Sequence, residues 1–412
     1  MAAKTIAVLF GGRSPEHDVS VVSALQVMGA LDRSLYSVIP VYLATDGRWW
    51  TGEALMKREN YLPAEEMLKT LDQVTLDLSA NQRPGLTRIN PKLLSRAGLG
   101  RLGLGGGEER IAFDVAIPCF HGLVGEDGQV QGALETAKVP YTGMRTMASA
   151  VLMDKVATKR MLAGTEIEML PYREIKRPRE GLLIPASELG PIVGDLKGPW
   201  IIKPTHLGSS IGVAKVADLE ELADVLPTIF QYDTSAILEP FVENMVEYNV
   251  AVARFGGELR TSAIERPKRT EELLDFKEKY LSGGGKKTGG GAKTPGQSSE
   301  GMLSLTRELN PTLPQGLEEK VRDWAAQAFE TVNGTGAPRI DFIGNEVTGE
   351  IWLNEVNPCP GSFGYFLWEA MREPILFSEL LDKLIAEALS EHARQRLPQD
   401  PTPQDARLFQ RR

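Results

Sequence analysis

Apolar positions in the first third of the chain alternate between two periods. Residues 6–10 form an unbroken apolar run closed by Gly11 and Gly12, which reads as a short buried strand and a tight turn. Ser14 and Pro15 follow as an N-cap with proline at the first helical position, and the pattern to about Leu31 predicts a helix. A second strand is expected near residues 38–43. Strand, helix and strand in this order, with no internal repeat, predict βαβ units and a parallel sheet. Residues 53–107 are irregular and end in a glycine-rich run. They read as an excursion inserted before a strand at 112–118, and no chemistry is assigned to them. Helical periodicity returns at 147–163, becomes strand-like around Trp200, and changes again after Leu238. The chain is therefore divided at 1–146, 147–238 and 239–390, with a polar tail over 391–412. Within the third unit, 275–301 is a candidate lid. Its centre, 282–299, is rich in Gly, Lys, Thr and Ser, a composition that suits either a mobile cover or a disordered insertion.

Composition narrows the function classes. The chain has 412 residues, 42% of them hydrophobic and 25% charged, enough to bury two or three cores. Two cysteines and four histidines supply neither a disulfide framework nor a Cys/His zinc site. The first apolar run is far shorter than a signal peptide or a membrane span, so a cytoplasmic protein with no membrane partner is expected. A net charge of -9 argues against nucleic acid, because a phosphate backbone rewards the opposite sign. Any phosphate bound here must meet local cations.

Two segments carry candidate chemistry, and neither is a P-loop. Residues 200–213 read as strand, small-residue turn and strand. Their glycines let backbone N–H groups approach a phosphate, Ser209 and Ser210 add donors, and Lys203 adds charge from a rigid strand. Taken alone, the same segment is also a plain hairpin carrying a basic residue. Further on, Glu355 and Asn357 stand two apart on a strand and so share a face. If the strand holding Asp341 pairs with them through a turn at 344–349, three oxygen-bearing side chains meet on one face. Such a set suits Mg²⁺, with phosphate and water oxygens completing its shell. A solvent-facing edge hairpin has the same pattern. Arg339 sits beside this face, where it can neutralise a transferring phosphoryl group or an oxyanion.

Eight segments in order resemble the D-alanine–D-alanine ligase family of the ATP-grasp superfamily. They are Leu9-Phe-Gly11-Gly12-Arg-Ser-Pro-Glu16-His-Asp-Val-Ser20, His121-Gly-Leu-Val-Gly-Glu-Asp127-Gly128-Gln-Val-Gln-Gly132, Pro140-Tyr-Thr-Gly143, Met153-Asp-Lys155, Lys203-Pro-Thr-His-Leu-Gly-Ser-Ser-Ile-Gly212, Glu278-Lys279-Tyr280-Leu, Arg339-Ile-Asp341, and Asn354-Glu-Val-Asn357-Pro-Cys-Pro-Gly361. The match spans most of residues 5–385. The resemblance implies an α/β protein, α+β in its grasp domains: an ATP-grasp fold behind an N-terminal Rossmann-like parallel-sheet domain, with all three units around one cleft.

By the same resemblance, Lys155, Lys203 and Lys279 hold ATP together with Ser209 and Ser210. Glu239, Pro240, Phe241 and Val242 form the adenine hinge, and Glu247 takes the ribose. Asp341, Glu355 and Asn357 ligate two Mg²⁺ ions, or Mn²⁺ in their place. Glu16 holds the ammonium of the first D-alanine, with His121 nearby. Glu16, Ser209 and Tyr280 form a hydrogen-bonded link across the cleft. Arg339 and the N–H of Gly361 hold a tetrahedral oxyanion, and Phe366 and Leu367 border the second substrate. The implied reaction makes D-alanyl-D-alanine for peptidoglycan through an acyl-phosphate, which needs a cover against water. A homodimer is implied by analogy.

Two features depart from the family pattern. Phe366 falls where these ligases carry the serine that receives the second substrate's carboxylate, which predicts an altered acceptor pocket. The lid is unusually long, with Lys286, Lys287 and Lys293. Rival readings are the same chemistry with D-lactate or D-serine as acceptor, and a non-catalytic ATP-binding regulator. The second is disfavoured because Glu16, Lys279, Arg339 and the three oxygen ligands are all present.

Overall fold

A computed structural model describes residues 3–61, 64–79, 83–89, 110–208, 211–268 and 307–395. Three sheets organise them. The first has seven strands: β1 (Lys4–Gly11), β2 (Tyr36–Leu43), β3 (Trp49–Thr51), β4 (Asp72–Leu76), β5 (Gly85–Arg88), β6 (Arg110–Ala112) and β7 (Val115–Pro118). Their order is β6-β5-β4-β3-β2-β1-β7. β1 runs parallel to β2 and β7, whereas β3 to β6 add on antiparallel. The parallel reading holds for β2, β1 and β7, and the sheet extends beyond them with antiparallel strands. The excursion within 53–107 is corrected: its described parts supply strands that widen the sheet, and the expected strand at 112–118 is split at Phe113 and Asp114 between β6 and β7. Short strands with antiparallel neighbours carry too few apolar alternations to stand out in sequence.

The first helix, His17–Ala30, starts later than expected. The Ser14 hydroxyl accepts from the Glu16 N–H at 3.1 Å, and so closes a turn instead of capping the helix. Its buried face, with Val21, Ala24, Val27 and Met28, packs into a core that also holds Ile6, Val8 and Phe10.

The second sheet is antiparallel throughout: β8 (Arg173–Lys176), β9 (Trp200–Pro204), β10 (Ala214–Val216) and β11 (Ser235–Pro240), ordered β10-β9-β11-β8. The third contains β12 (Met245–Phe255), β13 (Glu258–Pro267), β14 (Arg307–Leu309), β15 (Arg339–Asn345) and β16 (Ile351–Asn357), ordered β14-β13-β12-β15-β16. Helix Leu317–Thr331 covers it through Val321, Trp324, Ala325, Ala328 and Phe329, the spacing of one apolar helical face. The last helix, Phe377–Arg394, runs beyond the point where a polar tail was expected, with Arg394 paired to Glu391 at 2.6 Å. Leu380, Leu381, Leu384 and Ile385 of this helix share a core with β1 and with Ala251 and Ala253 of β12. The first and third sheets are thus held by one apolar cluster.

Among the described residues no helix is long and apolar enough to cross a membrane.

Candidate active site

The helix expected over 147–163 is two helices, Thr146–Met153 and Lys155–Leu162. Asp154 divides them: extended at φ -93°, ψ 108°, it accepts from the N–H groups of Val156 and Ala157 and caps the second helix. The break sets Lys155 at a helix start, where its Nζ donates to the Leu207 carbonyl at 2.6 Å and lies 3.6 Å from Glu355. Burial lowers the Lys155 pKa, with the neighbouring carboxylates acting the other way.

β9 carries Lys203 beside β11, where Glu239 is 3% exposed. Lys203 donates to Glu239 at 2.8 Å and to Asn354 Oδ1 at 2.9 Å, while Lys159 reaches the other Glu239 oxygen at 2.6 Å. Burial opposes the Glu239 charge, but Lys203 and Lys159 outweigh it and hold its pKa below the usual value. Glu239 is thus a buried counter-ion for two lysines. Phe241 turns away from the cavity: its ring lies 3.6 Å from Lys215 Nζ, and its N–H donates to the Pro199 carbonyl. Pro240, Val242, Met245 and Glu247 line the cavity with Lys155 and Lys203.

β15 and β16 pair as the sequence suggested, with Asp341 opposite Glu355 and Arg339 opposite Asn357. A bulge between Asp341 and Phe342 inserts Asn354, which lines the cleft together with Glu355. Arg339 grips Asp341 with Nε and Nη2, both at 2.7 Å, and Asn357 Nδ2 donates to Asp341 Oδ2 at 2.8 Å. Burial raises the Asp341 pKa to about 6; Arg339 opposes the rise, and Glu355 and Glu265 add to it. Among the described residues no three His, Cys, Asp or Glu side chains converge as a metal group. The candidate set is therefore two crowded carboxylates and one amide, all oxygen donors. That chemistry fits a hard cation taking its remaining ligands from phosphate and water.

A second cavity adjoins the first, sharing Glu247, Ile343, Asn354 and Glu355. Glu16, His121, Glu126, Glu265, Arg307, Arg339, Asp341, Asn357 and Gly361 line it. His121 is buried and meets the Ser23 hydroxyl at 2.9 Å; burial lowers its pKa to about 4, so it is neutral at pH 7. Gly122, at φ +75°, leaves room for Glu16, since a Cβ there would come within 2.7 Å of the carboxylate.

After Gly361, the residues Ser362, Phe363 and Gly364 all have positive φ. This tight turn buries Ser362, whose hydroxyl is hydrogen-bonded to Gln26, and starts the short helix Tyr365–Glu369. Leu367 is fully buried in the core and is not among the residues lining either cavity. Phe366 packs at the margin of that core with Arg307 4.2 Å above its ring. Ser209, Ser210, Lys279, Tyr280 and the lid 275–301 lie outside the described residues.

Sequence reasoning missed Lys159, Asn354, Glu265 and Arg307. Lys159 stands four residues after Lys155 on one helix face, a usable signal. Asn354 enters only through the bulge, and Arg307 meets Glu265 only because β14 pairs with β13.

Three sheets around a cleft, with lysines on one wall and carboxylates on the other, define an ATP-grasp fold. Family models described as "D-ala D-ala ligase N-terminus" and "D-ala D-ala ligase C-terminus" match residues 5–144 and 161–386. The D-alanine–D-alanine ligase of Thermosipho africanus is 32% identical over 384 residues, 92% of each chain. D-alanine–D-alanine ligase A of Bradyrhizobium diazoefficiens is 32% identical, covering 94% of this chain and 95% of that one. Among solved structures, the VanG D-Ala:D-Ser ligase of Enterococcus faecalis superposes with a TM-score of 0.73 at 26% identity, over 94% of this chain and all of that one. The chain belongs to the D-alanine–D-alanine ligase family.

Proposed function

We propose that this protein joins two D-alanines into D-alanyl-D-alanine, with conversion of ATP to ADP and phosphate, as a step in peptidoglycan precursor synthesis in the cytoplasm. The observation that carries the reading is one continuous cleft bordered by Lys155 and Lys203 at one end and by Glu16, Arg339 and Gly361 at the other. It can bring a triphosphate tail and a small zwitterion together.

In this reading the nucleotide lies in the first cavity, with its base against Pro240 and Val242 and its ribose near Glu247. Lys155 and Lys203 neutralise the phosphates with Ser209, Ser210 and Lys279. Asp341, Glu355 and Asn357 would hold two Mg²⁺ ions, or Mn²⁺ in their place, which would supply charge neutralisation at the transferring phosphoryl group. Glu16, with His121 behind it, holds the first D-alanine by its ammonium so that its carboxylate meets the γ-phosphoryl group. By the family resemblance, Glu16 would share a hydrogen-bonded link with Ser209 and Tyr280, and a cover over the cleft would keep water from the acyl-phosphate. The second amine then attacks, and Arg339 and the Gly361 N–H receive the charge on the carbonyl oxygen before phosphate leaves. We further propose a homodimer, which sedimentation tests.

The deciding experiment is phosphate release from Mg-ATP across D- and L-amino acids and hydroxy acids, singly and in pairs, with products identified by mass. Release that depends on D-alanine and yields D-alanyl-D-alanine is expected. Turnover only with another acceptor reassigns the second substrate, and no turnover with any pair overturns the reading.

A further inference from the structure

We infer that Arg307 is the receptor for the carboxylate of the second amino acid, a role Phe366 sets up by bearing the guanidinium on its ring; the inference rests on the ligase reading above. The acceptor reaches the cleft as a carboxylate-bearing amine, and its charged tail needs a cation that is not already saturated. Among the described residues lining the two cavities, four cations qualify by position: Lys155, Lys203, Arg307 and Arg339. Lys155 and Lys203 line the first cavity and not the second, and the reading above already gives them to the ATP phosphates. Arg339 spends its Nε–Nη2 edge on Asp341.

Arg307 is held differently. Its Nη1 donates to Glu265 Oε2 at 3.0 Å, and the other Glu265 oxygen is fixed by Asn249 Nδ2 at 2.9 Å. Glu265 is 2% exposed, so this anchor is rigid. Among the described residues the buried Arg307 Nε has no hydrogen-bond partner, which is costly unless something supplies an acceptor. The Nε–Nη2 edge is the one a carboxylate grips with two parallel bonds, as Asp341 grips Arg339 in this same cavity. The Phe366 ring lies 4.2 Å from the guanidinium carbon and fixes its plane.

Among the described residues, the hydroxyl next to Gly361 offers no alternative. Ser362 is buried and bonded to Gln26, so it offers no donor to a ligand. An aromatic residue at 366 therefore goes with an arginine on the neighbouring β14, two parts of one device.

The test compares D-alanine with D-alaninamide as acceptor in the full-length protein and in Arg307→Gln, Arg307→Lys and Phe366→Leu. The first half-reaction is read separately as D-alanine-dependent positional isotope exchange in ATP. The unsubstituted protein should prefer D-alanine over the neutral amide by about 10- to 100-fold, the worth of one charge-assisted pair. Arg307→Gln should lose that preference and raise the acceptor KM by a similar factor, while exchange and the KM for ATP stay unchanged. Arg307→Lys, which keeps the charge facing Glu265 but lacks the forked edge, should recover part of the preference, and Phe366→Leu should fall between. If exchange persists and folded Arg307→Gln or Arg307→Lys retains the full preference, the assignment is overturned. If the unsubstituted protein shows no exchange with D-alanine, the ligase reading itself fails.

Discussion

Glu239 has both oxygens taken by lysines, Lys159 at 2.6 Å and Lys203 at 2.8 Å, in a site shut off from water. Removing its charge leaves two buried ammonium groups facing each other. Glu239→Gln is therefore expected to lower stability by about 3–5 kcal/mol in urea unfolding, well beyond an exposed substitution. Glu355→Gln should behave in the opposite way, abolishing ATP turnover while circular dichroism and melting stay near normal; unfolding instead would make Glu355 a structural carboxylate. His206 gives a pH signature. Hydrogen bonds to Asp154 and Asp233 push its pKa up to about 10 from 6.5. Because the folded value lies above the unfolded one, its contribution is complete below about pH 6.5 and is lost as pH rises towards 10. Melting temperature followed from pH 6.5 to 10 should fall less steeply in His206→Gln than in the unsubstituted protein.

At the scale of elements, the break at Asp154 turns what looks like one amphipathic helix into two and aims Lys155 at the cleft. Asp154→Ala removes the cap and a partner of His206, and should cost about 1–2 kcal/mol of stability. The same variant should raise the KM for ATP, since Lys155 is the first residue of the helix that loses its cap. The bulge in β16 works similarly: one extra residue brings Asn354 to Lys203 and leaves Glu355 opposite Asp341.

For the whole molecule, the first and third sheets share a core, while the cavity proposed for the nucleotide lies between the second and third. Binding energy from ATP should therefore be shared by those two sheets. Amide exchange with Mg-ATP present is expected to slow in β9, β11, β15 and β16, and β1 should respond only when D-alanine is added and Glu16 is engaged. Uniform slowing of all three sheets by ATP alone would show that they move as one body.

Much was legible in the sequence because it depends on near neighbours along the chain. The β1 strand and its glycine turn, the β9–β10 strands around the small-residue turn, and the pairing of Asp341 with Glu355 follow from apolar period, turn residues and the two-residue repeat of a strand. These local rules also singled out Lys203, Arg339 and Asn357 as candidates, whereas Glu16 came from the family resemblance. Local rules had nothing to say where a residue acquires its meaning from a distant one. Glu239 reads as part of a hinge until two lysines from other elements close on its side chain. Arg307 is an arginine after a polar stretch until β14 pairs with β13 and carries it over Phe366 beside Glu265. Sequence determined which side chains could do the chemistry; the tertiary structure decided which of them are already paired, and an ion pair between residues far apart in the chain exists only once folding has brought them together.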